Sequence, residues 1–185
     1  MNFCKYLFVF TGFLLLVSCN ETLPKPKGYL RLSYPSPNYV DYGKNCPLQF
    51  KVNELAVVNE NSKCEIKVEY PTMKATIYLN YRPIENNLNN LLRDAQKLTY
   101  EHVIKADDII EQPYINSENK VFGMFYKIGG NAASNSQFYL TDSTHHFLLG
   151  SVYFYAKPHF DSILPAAHYL EEDMRILIES IRWKK

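Results

Sequence analysis

Hydrophobic and polar positions alternate with period two in several stretches of this chain. Over 28–34, Leu30, Leu32 and Tyr34 share one face and Arg31 and Ser33 the other, which predicts a half-buried strand stopped by Pro35 and Pro37. A short strand is expected over 47–52. Over 64–70, Cys64, Ile66, Val68 and Tyr70 alternate with Glu65, Lys67 and Glu69. After a turn at Pro71 and Thr72, the stretch 73–81 alternates again with Met73, Ala75, Ile77 and Leu79 inward. These two runs predict a β-hairpin.

From about 87 to 106 the period becomes helical. Leu88, Leu91, Leu92, Ala95, Leu98, Thr99, His102, Val103 and Ala106 fall on one face at i, i+3, i+4 spacing, with Asn86 or Asn87 as the start cap. A polar connector containing Pro113 is expected next. Three strands follow, over 121–128, 137–141 and 147–156. A loop of small residues joins the first pair and a turn at Asp142, Ser143 and Thr144 joins the second. Connections this short imply antiparallel neighbours. In the first of these loops Gly129 and Gly130 suit a tight turn that needs positive φ. A last helix is expected to start between Asp161 and Pro165 and run to about Ile181. Its core face is Ala167, Leu170, Met174, Leu177, Ile178 and Ile181.

Strands, helix, three strands, helix is the order of an α+β fold, an antiparallel sheet with two packed helices. From about 88 to 183 this element order resembles the Mog1/PsbP-like fold.

The amino terminus reads differently. Lys5 precedes an apolar run over 6–17, then come Ser18 and Cys19. The run is well short of the roughly 20 apolar residues that span a bilayer, so a cleaved signal fits better than a membrane helix. A small residue followed by cysteine is the layout of a bacterial lipoprotein processing site. The expected organisation is a signal peptide over 1–18, a lipidated tether over 19–27, and a single α+β domain over 28–185. The anchor is a covalent lipid such as palmitate on Cys19, and no other cofactor is expected. At about 3.3 Å per residue the tether reaches about 30 Å, with Pro24 and Pro26 favouring extension. The domain therefore works in or very near a membrane. Asn20, rather than aspartate, follows the lipid cysteine, which favours the outer membrane over the inner.

Removing 1–18 takes away Lys5 and leaves acidic and basic side chains in balance, so electrostatics offer no reason to expect nucleic acid. Of the four cysteines, Cys4 leaves with the signal and Cys19 takes the lipid. In an oxidising compartment Cys46 and Cys64 are expected to pair, the alternative being two buried thiols. Neither belongs to a close-spaced metal-binding pair. No nucleophile elbow, phosphate loop or metalloprotease His-Glu pair is present, and an enzyme is not expected. His145 and His146 would point to opposite faces of a strand and suit surface roles. His102 fits the edge of a helical core.

Both helices carry a second apolar stripe. Tyr169, Ile176 and Trp183 recur every seven residues on the last helix, roughly 140° from its core face. Tyr100 and Ile104 stand four apart on the polar side of the first. Either other segments cover these residues or they are a docking face for a partner.

GYLRL at 28–32, MKATIYL at 73–79, LLRDAQKLTYEH at 91–102, GGNAAS at 129–134 and SVYFYAKP at 151–158 together resemble the gliding-motility lipoprotein GldD family of the Bacteroidota. The resemblance covers nearly the whole chain after Cys19. It implies an accessory or scaffold lipoprotein of the gliding motility and type IX secretion apparatus, with other envelope proteins as partners. It supplies no active site; the position it carries over is the lipid attachment at Cys19. The alternative function is a carbohydrate-binding lipoprotein contacting peptidoglycan or surface polysaccharide, for which exposed tyrosines in a groove would speak.

Overall fold

The computed structural model describes residues 32–155 and 160–184, without the side chains of 102, 103 and 160. Its main element is an antiparallel sheet of β3 (Val57–Glu60), β4 (Glu65–Tyr70), β5 (Ala75–Pro83), β6 (Ala106–Asn116), β7 (Val121–Gly130), β8 (Ser136–Thr141) and β9 (His146–Phe154). The spatial order is β3-β4-β5-β9-β8-β7-β6. A smaller sheet has β2 (Leu48–Asn53) between β1 (Tyr39–Tyr42) and β10 (Arg182–Trp183). Helix α1 (Leu88–Tyr100) connects β5 to β6, and α2 (Phe160–Ser180) follows β9. The class is α+β.

Period-two alternation divides the large sheet into an inner and an outer face. Ile66, Val68, Ile77, Leu79, Phe138, Leu140, Leu148 and Val152 point inward and are fully buried. They meet Leu48, Phe50 and Val52 of β2 and Leu170, Met174, Leu177, Ile178 and Ile181 of the α2 region in one continuous core. Each such side chain contributes about 2 kcal/mol by leaving water. Helix α1 lies on the outer face. Its Thr99 is buried and donates from Oγ1 to Gln137 Oε1 on β8 at 3.0 Å.

The hairpin over 64–81, the last three strands and the core face of α2 lie where hydrophobic periodicity predicts them. Four differences have physical causes. Residues 28–31 of the expected first strand lie outside the described residues, and 32–34 are irregular; pairing starts only beyond Pro35 and Pro37, at Tyr39 against Asn53. The expected helix over 87–106 stops at Tyr100 and tightens into a 3-10 turn over Glu101–Ile104. The expected connector around Pro113 is the edge strand β6, a position that tolerates a missing N–H. Finally, α2 begins at Phe160, so Pro165 sits inside the helix rather than in its first turn, and the chain leaves the helix after Ser180 to form β10.

The Cys46–Cys64 disulfide is formed, with Cα atoms 5.5 Å apart and a sequence separation of 18. It fastens the start of β2 to the start of β4. Gly130 has φ of 84°, in keeping with the turn expected there.

Candidate functional site

The segment before β1 is fastened to α2. The ring of Tyr34 packs on Tyr169 with centroids 5.3 Å apart, and Tyr169 Oη donates to the carbonyl of Pro35 at 3.1 Å. Next to it Tyr39 Oη donates to Asp173 Oδ1 at 2.6 Å, and Asn53 Nδ2 donates to Asp173 Oδ2 and Tyr169 Oη, both at 2.9 Å. Asp173 is buried. Burial raises its pKa above the usual carboxylate value, and hydrogen bonds from Tyr39, Asn53 and Tyr70 offset this only in part. Burial and the bond to Asp173 likewise push the Tyr39 phenol upward.

This arrangement breaks up the stripe predicted on the last helix. Tyr169 is occupied by the incoming segment. Trp183 lies beyond the helix on β10, stacked on His146 with centroids 5.1 Å apart, and its Nε1 donates to the carbonyl of Lys120 at 3.1 Å. Ile176 is half-buried and lines a groove of about 410 Å³ whose rim carries Asp41, Lys51, Glu179 and Arg182. The three residues do not share a face, because helical spacing does not carry past Ser180. Of the two histidines, His145 is exposed while His146 also meets Tyr81 Oη through Nδ1 at 2.9 Å. The side chain of His102 lies outside the described residues.

The pair on the first helix has a different setting. Tyr100 and Ile104 are exposed, Ile104 at 90%. Directly after them β6 exposes Ile110 and Ile115, the latter at 72%. The register sets Pro113 opposite Met124 and Ile115 opposite Phe122, with Phe122 and Met124 half-buried. Pro113, Ile115, Phe122, Met124 and Glu111, which accepts a short hydrogen bond from Tyr100 Oη, share the outer face, while alternation puts Ile110 on the other. The result is an apolar margin along the free side of α1 and β6. Its edge is guarded against strand addition: Pro113 interrupts it, and the register shifts between Ala106 and Ile109 at a bulge holding Asp107 and Asp108. Side chains, rather than backbone, are what this margin offers a partner.

On the other side of α1 lies a groove of about 480 Å³. Tyr78, Tyr153 and Tyr155 form its walls, with Asn80 and Ser151 between them and Leu98, Leu149 and Phe154 completing the lining. Tyr78 and Tyr153 meet edge to face at 5.7 Å, and Tyr155 Oη bonds Tyr78 Oη at 2.8 Å and Thr76 Oγ1 at 3.0 Å. The bond to Tyr155, with burial, pushes the Tyr78 phenol up to about 12. Sequence reading treated this region only as strands. The signal was the outward register of β5 and β9, where tyrosine, asparagine and serine replace the charged residues usual on a solvated face.

Cys19 lies outside the described residues. Among the described residues no helix is long and apolar enough to cross a membrane. A family model described as "Gliding motility lipoprotein GldD" matches residues 19–183. No curated protein and no solved structure matches the chain.

Proposed function

The chain belongs to the gliding motility lipoprotein GldD family, and from that premise we propose a non-enzymatic accessory of the gliding apparatus, held on the envelope by lipid at Cys19. The family match begins at the cysteine that the processing-site pattern marks for lipidation, which supports that anchor. The protein faces its partner with the margin of α1 and β6. The observation that carries this reading is the set of exposed large apolar side chains at Tyr100, Ile104 and Ile115 on the outer face. Such clustering marks protein contact, whereas isolated exposed leucines and isoleucines need no explanation. The partner is an envelope component of the motility and type IX secretion machinery, and the outer membrane is the proposed location.

The clamp between the incoming segment and α2 supports a scaffold role. A load applied between lipid and partner passes through Tyr34, Tyr39 and Asn53 into α2 and the core, instead of ending in a loose linker. The test is to replace Ile104 and Ile115 with glutamate in the native gene. The variant is expected to accumulate in the membrane fraction at native level and to fail to support gliding. Unimpaired gliding with both residues changed would overturn the docking margin.

A further inference from the structure

We infer that the groove walled by Tyr78, Tyr153 and Tyr155 is a binding site for a neutral polysaccharide chain. It lies across α1 from the docking margin, since Leu98 lines the groove while Tyr100 turns to Glu111 on β6. Two independent observations lead here. The first is the lining, which contains no charged side chain in about 480 Å³, a volume within the ordinary range for small-ligand sites. Aromatic walls with a few polar groups suit a ligand that has apolar faces and a rim of hydroxyls. A pyranose ring has that form: its C–H bonds pack on a ring face and its hydroxyls both donate and accept.

The second observation is unmet hydrogen-bonding capacity. Ser151 is 5% exposed, and its hydroxyl has no hydrogen-bond partner among the described residues. The half-buried carboxamide of Asn80 and the hydroxyl of Tyr153 are also without partners there. These groups open on the groove and meet water there, so they are free to exchange that water for the hydroxyls of a bound ligand. Tyr78 and Tyr155 differ from these, since their phenols bond each other and hold the two rings as a fixed wall.

Charge decides between sources of sugar. Peptidoglycan carries carboxylates on its lactyl and peptide groups. Among the described residues Glu69 and Lys67 both act on Tyr155, with Lys67 lying over the ring of Tyr78 at 5.8 Å, so the two charges offset each other and the groove offers an acidic ligand no net cation. An uncharged polysaccharide fits this setting and an acidic glycopeptide does not.

The test uses the full lipidated chain in a detergent without a sugar headgroup. Binding of neutral hexasaccharides of glucose, mannose and galactose, and of muropeptides, is measured by calorimetry. At least one neutral oligosaccharide is expected to bind, with affinity falling about tenfold in Tyr155→Ala. Tyr155 is 64% exposed, so this variant keeps its fold. Asn80→Asp, which puts a charge in the groove, should weaken the same oligosaccharide, while Tyr100→Ala should leave it unchanged. Absence of binding to every neutral oligosaccharide, binding of muropeptides alone, or equal binding by Tyr155→Ala would each overturn the inference. None of these results bears on the docking margin, whose readout is gliding by the Ile104 and Ile115 variant.

Discussion

The phenol of Tyr39 donates a 2.6 Å hydrogen bond to Asp173 across 134 positions of sequence, and this contact joins the first strand to the last helix. Hydrogen bonds to a charged acceptor contribute about 1.5–3 kcal/mol. Tyr39→Phe is therefore expected to lower unfolding free energy by about 2 kcal/mol in urea titration. Asp173→Ala should cost at least as much, because it leaves Tyr39 and Asn53 without their shared acceptor.

The same aspartate makes a pH prediction. Its folded pKa is raised, so the folded chain holds this proton more tightly than the unfolded chain does. That contribution to stability is fully present below the ordinary carboxylate value of about 4 and is lost as pH rises through the raised folded value. Melting temperature measured against pH, native minus Asp173→Asn, should fall across that window. A difference that rises with pH would contradict the assignment.

Asp142 should behave in the opposite sense. Burial alone would raise its pKa, yet N–H groups of His146, His145 and Thr144 and the Thr144 hydroxyl together hold it well below the usual range. Its stabilisation is present above about pH 4 and is lost as pH falls through the depressed folded value. Asp142→Asn is expected to destabilise by about 1–2 kcal/mol at neutral pH, with the deficit shrinking in acid.

Reducing the Cys46–Cys64 bridge releases the loop it closes. In the chain-entropy account a loop of this size is worth about 3 kcal/mol. The double serine variant should unfold at lower urea by that margin, and the native chain should match it once reductant is added.

Gly150 on β9 lies opposite Phe138 on β8, and a Cβ at 150 would collide with the Phe138 ring in the core. Gly150→Ala is expected to cost about 1–3 kcal/mol through overpacking. Combining it with Phe138→Leu should recover part of the loss, because the smaller side chain frees the space.

Strong amphipathic patterns were readable in the sequence because one clean face determines them. Leu170, Met174 and Leu177 on α2, or Ile66 and Val68 against Ile77 and Leu79, admit one periodicity. The edge and short strands were not. In β6, Ala106–Asn116, no residue is fully buried, and Pro113 reads as a breaker, so only pairing with β7 defines it. β1, β3 and β10 have four residues or fewer and depend on their neighbours. Tyr100 and Ile104 stood out as apolar residues on a polar face, and they are exposed. Tyr169 and Trp183 stood out for the same reason, but partners distant in sequence cover them: Tyr34 and His146. Local spacing cannot separate these two outcomes. The tyrosine groove escaped notice because its walls come from β5 and β9, far apart along the chain.

The most direct test of the account is photocrosslinking in intact gliding cells with a photoreactive residue at position 104, followed by mass spectrometry. The account predicts capture of a discrete envelope protein of the motility or secretion machinery, lost when Ile115 is replaced by glutamate. Capture of lipid alone, or of the same protein with equal yield from a photoreactive residue at 57 on the opposite edge of the sheet, would contradict it.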